Sequence, residues 1–348
     1  MASESRGTVL LALFANLAVA VAKTGAGLLT LSSAMLSEAA HSWADTTNQV
    51  FLLLALKRAQ RPADTTHPFG YGKERYFWSL LAAVGIFVTG ALFSAYQGIE
   101  GLLGGGHELS TKEFTISYVV LGVAFVLEGS SLIKALRQLR GEARGRGRGL
   151  LEQVRKSNDP TVKTVASEDS AAVVGLLLAA TGLALHQITG SAVFDGVASI
   201  AIGVLLGWIA YALGRDTKEL LIGESADPEL RLDIISALVG YDGVNGLLDM
   251  LTMQLSPDHV LVAAKVDFDD ELGAADVEAL CNRIERDLQE RFPSVTHLYL
   301  DPTSPTRTES AVAADIGRLV DASTDADPDV RAAAADSLDT DSWRSAPR

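Results

Sequence analysis

The chain is poor in several residue classes, and each shortage excludes something. It has one cysteine, Cys281, in 348 residues, which rules out an intramolecular disulfide and any multi-cysteine metal cluster. Positive charge is in deficit. The formal net charge is −14, and acidic residues far outnumber basic ones over 227–305, so the region most accessible to a polyanion repels it and nucleic-acid binding is not expected. No nucleophile motif, phosphate-cradling glycine loop or cofactor box is present, so the chain does not read as an enzyme. A cleavable signal peptide is not expected either. The first apolar run, 8–29, is too long for a signal core and lacks a basic leader with a cleavage site.

Apolar residues are what the chain has in abundance. They make up 48% of it, and the mean hydropathy is +0.22, high for a soluble protein of this length. They crowd the first two-thirds and thin out after Glu224. The expected division is a transmembrane domain over 1–222, a cytoplasmic domain over 223–305 and an acidic, mostly disordered tail over 306–348, with a fraying helix near 310–321. Six runs have spanning length, each needing about 20 residues: 8–30, 34–57, 77–101, 114–136, 160–187 and 191–213. Their glycine, alanine and serine content lets membrane helices approach closely. The fifth run has a clear start, with Asn158 or Asp159 as cap and Pro160 at the first helical position.

The loops give an orientation. Lys57, Arg58, Arg61, Lys73 and Arg75 lie between runs two and three; Arg144, Arg146, Arg148, Arg155 and Lys156 lie between four and five; Arg215 and Lys218 follow six. The intervening loops 31–34 and 188–191 are uncharged. By the positive-inside rule both termini are cytoplasmic, in a multi-pass protein of the cell membrane. The arginine–glycine run reads as a topology signal that can also touch anionic lipid.

After residue 227 the periodicity changes. Helices are expected over 228–239 and 274–292 and strands over 246–255, 260–267 and 295–300, with Ser256-Pro257-Asp258 as a turn. That order, α-β-β-α-β, is a two-layer α+β unit, ferredoxin-like in outline.

The decisive stretch lies inside the second span: Ser37-Glu38-Ala39-Ala40-His41-Ser42-Trp43-Ala44-Asp45-Thr46-Thr47-Asn48-Gln49. His41 and Asp45 are one turn apart on one face. Ionisable groups within a span are costly and usually functional, and imidazole with carboxylate suits zinc and its first-row neighbours. The competing reading is a buried polar pair that ties helices together. Two ligands leave a site open, and the fifth span supplies Asp169 with Glu168 beside it. Adjacent helical residues point about 100° apart, so one serves as ligand while the other supports it or carries a proton. For Asp169 the competing reading is a carboxylate near a helix start.

These residues resemble the cation diffusion facilitator family of divalent metal–proton antiporters, over roughly 8–303. His41-x-x-x-Asp45 is similar to its motif on the second helix, and Asp169 to the aspartate on the fifth. Val165 stands where many members carry a fourth ligand, and Glu-Asp-Ser-Ala-Ala resembles the zinc transporter 9-like branch, where Glu168 or water completes the set. Asn16, Lys23, Gly27 and Asp195 also fit family positions, although Asp195 reads equally well as a helix-start cap. The resemblance implies a homodimer in a lipid bilayer that exchanges one divalent cation for protons by rocking between inward- and outward-facing states, with no resident cofactor. Zn(II) ranks first, with Mn(II), Fe(II), Co(II), Cd(II) and Ni(II) admitted by the ligand chemistry. It also implies a peripheral loop site at Asp64 and His67, degraded because Tyr71 replaces a second histidine; a loop-anchoring pair is the competing reading. In the cytoplasmic domain His259 and His297 read as strand residues, and Lys265 and Tyr299 occupy positions where ligands would be expected, so no zinc pair is predicted there. His107 and His186 read as solvent-facing. A non-transporting metal sensor or scaffold and an uncoupled metal channel are the alternative functions.

Overall fold

The structure is a computed structural model. It describes residues 6–103, 109–145 and 160–305, together with Ile316 and Ala333. The predicted caps Asn158 and Asp159, most of the arginine–glycine run, His107 and nearly all of the tail lie outside the described residues.

The chain divides into two compact units, 1–221 and 222–348. The first is helical: α1 (Arg6–Thr30), α2 (Ser33–Ala59), α3 (Glu74–Gly85), a π-helical segment (Ile86–Leu92), α4 (Phe93–Leu103), α5 (Thr111–Gly145), α6 (Pro160–Thr189) and α7 (Val193–Ile222). Four stretches are long and apolar enough to cross a membrane among the described residues: Glu74–Leu103, Thr111–Gly141, Ser167–Thr189 and Val193–Ile222. The first is α3, the π segment and α4 running on as one rod. α2 differs in kind, because its polar residues are buried and its lipid-type residues are not: Ser37, Glu38, His41, Ser42, Thr46 and Asn48 are buried, while Trp43, Val50 and Leu54 are exposed.

Tight turns and small residues set the packing. Leu31 closes α1 with its N–H on the Gly27 carbonyl at 2.8 Å and φ +52, the left-handed stop that usually falls to glycine. Ser32 caps α2 by accepting from the Met35 N–H, and a Cβ on Gly27 would sit 2.8 Å from Leu36 Cδ2, so the glycine lets α1 and α2 cross closely without displacing Leu36. Where α4 meets α7, a Cβ on Gly98 would fall 2.7 Å from the Gly196 carbonyl oxygen. Ser199 donates to the Ser94 carbonyl at 2.8 Å and its hydroxyl lies against that of Ser37, so α2, α4 and α7 are pinned by polar contacts where no water is available.

The second unit holds α8 (Pro228–Val239), β1 (Val244–Ser256), β2 (His259–Phe268), α9 (Ala274–Arg291) and β3 (Val295–Pro302). Strand order is β1-β2-β3. β1 and β2 form an antiparallel hairpin; β2 and β3 are parallel, joined through α9 as a parallel pair requires. The core is apolar: Leu232, Ile234, Leu238, Val262, Val266, Ile284 and Leu288 are almost wholly buried. Ile316 joins this core as a helical residue, inside the stretch where a fraying helix was expected.

Candidate metal centre

His41 and Asp45 meet as their spacing requires, with His41 Nε2 3.3 Å from an Asp45 carboxylate oxygen. His41 is 1% exposed, and neither ring nitrogen has a hydrogen-bond partner of good geometry among the described residues. A buried imidazole with both nitrogens unsatisfied is costly unless something else binds it, and a neutral ring nitrogen is a metal ligand.

α6 packs against α2, but its acidic pair is otherwise engaged. Glu168 is buried, and both its oxygens accept from the Asn48 side-chain amide at 2.6 Å. Asp169 accepts from Ser131 of α5 at 2.9 Å. Asn48 lies one turn beyond Asp45, so it carries the α2 polar face across to α6. Among the described residues no three histidine, cysteine, aspartate or glutamate side chains converge closely enough to hold a metal ion. The structure therefore brings His41 to Asp45 and Glu168 to the same helix face, with Glu168 and Asp169 facing different neighbours, as their 100° offset requires.

A neighbouring charge cluster went unassigned from the sequence. The Lys23 ammonium donates to Glu38 at 2.9 Å and to Glu128 at 2.8 Å. Lys23 and Glu38 are wholly buried, and the Glu128 side chain is 15% exposed. Glu38 had been visible only as part of the α2 stretch. Glu128 had a signal of its own, a lone carboxylate in the middle of an apolar run on α5.

Asp195 is a cap, though not of its own helix. Its carboxylate accepts from the Ser32 hydroxyl at 2.8 Å and the Ala34 N–H at 3.4 Å, so it serves the start of α2. His186 is buried, edge-on to Phe114 with ring centroids 5.5 Å apart. This corrects its solvent-facing assignment, because the end of α6 packs on the start of α5.

The Asp64–His67 loop is exposed. Asp64 accepts from the His67 and Thr66 N–H groups at 2.7 and 3.0 Å through one oxygen and from the Tyr71 hydroxyl at 2.7 Å through the other. The Tyr71 hydroxyl first, then the His67 N–H, holds the Asp64 carboxyl below its usual range. The His67 ring stacks on Tyr71 at 4.3 Å, and its Nδ1 is 3.7 Å from Asp64. These contacts anchor the loop, and Tyr71 supplies the donor where a second imidazole would have stood. In the second unit Lys265 pairs in register with Asp301 and Ala263 with Tyr299, while His297 contacts the Thr296 hydroxyl.

Residues 9–222 match the cation efflux transmembrane domain, and residues 226–301 match the cation efflux protein cytoplasmic domain. The chain belongs to the cation efflux family. It is 36% identical over 244 residues, 70% of its own length and 42% of the relative's, to the mitochondrial proton-coupled zinc antiporter SLC30A9 of Homo sapiens. It is 28% identical over 349 residues, covering 89% of the chain and 76% of the relative, to metal tolerance protein C4 of Arabidopsis thaliana. It is 24% identical to the manganese efflux system protein MneP of Bacillus subtilis (strain 168) over 86% of the chain and 97% of that protein. The chain spans about half the length of the antiporter relatives it matches. These relatives are transporters rather than enzymes, and this chain is a multi-pass membrane protein of the same family.

Proposed function

We propose that this chain exports a divalent cation, zinc foremost, from the cytoplasm in exchange for protons, working as a homodimer. The observation that carries the reading is the His41–Asp45 pair inside α2, its imidazole buried with both nitrogens lacking a hydrogen bond among the described residues, in a domain of the cation efflux family. Asp169 and Glu168 complete the ligand set when α6 shifts toward α2, with Glu168 exchanging Asn48 for the metal or leaving the fourth place to water. Imidazole and carboxylates take either a metal or protons, so metal entry expels protons and proton entry expels metal. The relatives' names support zinc and proton coupling, and one relative's name leaves manganese in play.

In this reading α1, α2, the α3–α4 rod, α5, α6 and α7 make six spans. The lysine- and arginine-rich loops and both termini face the cytoplasm at the cell membrane. The α-β-β-α-β unit is ferredoxin-like and packs against its copy in the dimer. Asp64 and His67 contribute at most a peripheral metal contact.

Zinc uptake into proteoliposomes under an imposed pH gradient tests this. Wild type should accumulate zinc only with the gradient, and Asp45→Ala should fall to the protein-free background. Unchanged flux in Asp45→Ala sinks the site; flux that ignores the gradient indicates a channel, and none for zinc or manganese a sensor.

A further inference from the structure

We infer that Glu38 and Glu128 form a second cation site, separate from His41–Asp45, whose resident occupant is the Lys23 ammonium. Three helices contribute: Lys23 from α1, Glu38 from α2 and Glu128 from α5. Two carboxyl groups converge on one ammonium at 2.9 and 2.8 Å, one more than the ammonium's charge calls for. Burial of an uncompensated charge is expensive, and a lone structural ion pair would need only one carboxylate.

The unused valence points the same way. Glu38 Oε1 and Glu128 Oε2 are both buried and lack a hydrogen-bond partner among the described residues, whereas a structural triad is expected to satisfy its remaining oxygens. One of them sits at a helix crossing. A Cβ added to Gly175 of α6 would land on Glu38 Oε1, so the glycine lets that oxygen pack against the α6 backbone. Glu38 also precedes His41 by three residues and Asp45 by seven, which sets all three on one face of α2.

An oxygen-only pair of carboxylates suits hard divalent cations such as Mn(II) better than imidazole-rich sites do. Lys23, a point charge on a flexible stem, fills the site in place of a metal and keeps it closed. Removing the ammonium while keeping the stem's volume should open it.

The experiment is Mn(II) binding to the purified full chain in detergent at neutral pH, with free Mn(II) read from its electron paramagnetic resonance signal. Lys23→Met should bind one more Mn(II) per protomer than wild type, and Lys23→Met/Glu38→Gln/Glu128→Gln should lose that increment. Lys23→His, which replaces the ammonium by a ligand, should also gain one. Because the readout is an increment over wild type, it stands even if His41–Asp45 binds nothing. The inference is overturned if folded Lys23→Met and Lys23→His bind no more than wild type. It is equally overturned if the increment survives the glutamine substitutions, or if neither lysine variant folds, since a displaceable occupant cannot be indispensable to the fold.

Discussion

The two units of this chain differ most in how much polar and charged chemistry they bury. In the second unit the buried set is dominated by Leu232, Ile234, Ile235, Leu238, Val262, Val266, Ile284 and Leu288, with Arg231 the one buried charge among the described residues. In α2 the buried set includes Glu38, His41, Thr46 and Asn48, while Phe77, Val88, Leu92, Val204 and Trp208 on its neighbours face outward. The cause is the solvent. Water drives apolar groups inward at roughly 25 cal/mol per Å². A bilayer gives no such drive, and helices associate there through close packing and polar contacts. The same inward position therefore means stability in one unit and chemistry in the other, and substitutions should separate the two meanings.

The largest effect on stability should come from the second unit. Ile284 is fully buried between the α9 helix and the sheet, and Ile284→Ala should cost about 3 kcal/mol through lost burial and the cavity left behind. Thermal unfolding of the full chain should show the cytoplasmic transition falling by roughly 10 °C or more, with zinc flux retained at low temperature. Next comes the polar core. Asn48→Leu leaves the Glu168 carboxylate buried without its donor and should cost about 2 kcal/mol, whereas Glu168→Gln should cost less because the pair remains hydrogen-bonded. If Glu168→Gln keeps its stability but loses flux, Glu168 acts on metal or proton; if both are kept, it ties α2 to α6 and nothing more.

The contrast also explains what could be read in advance. Helix and strand positions were legible because each unit has a consistent periodicity: the strands expected at 246–255 and 260–267 are β1 and β2 with slightly longer ends. His41 and Asp45 were legible because a four-residue spacing on a helix fixes their neighbourhood without any tertiary knowledge. What depends on helix-to-helix distances was not. No spacing tells Glu128 on α5 to meet Lys23 on α1, Asp195 to cap a helix other than its own, or His186 to sit beneath Phe114.

A smaller effect should come from Leu31, whose positive φ is observed in an exposed turn. Leu31→Gly relieves a left-handed backbone that costs an L-residue roughly 1 kcal/mol. The variant should be more stable by about that amount in thermal unfolding of the first unit, with unchanged flux. A loss of stability would mean that the leucine side chain packs against something that outweighs the strain.

The smallest effect should be confined to the exposed loop, where neither kind of burial operates. Asp64 sits below its ordinary value near 3.8, chiefly through the Tyr71 hydroxyl, and Tyr71 sits above its ordinary 10.0 through the same bond. For a carboxyl lowered in the folded state, the contact contributes fully above the unfolded value and is lost as pH falls through the lowered one. For a phenol raised in the folded state, it contributes fully below the unfolded value and is lost as pH climbs through the raised one. The loop contact therefore holds across the whole neutral range and fails only at the two extremes. Tyr71→Phe should let Asp64 titrate closer to 3.8 while the His67 and Thr66 N–H groups still hold it somewhat low. A carbonyl-labelled aspartate titration by nuclear magnetic resonance would show this, with zinc flux at neutral pH unaltered. A fall in flux comparable to that of Asp45→Ala would instead make this loop part of the transport path and erase the distinction between a site built by burial and a loop anchored in water.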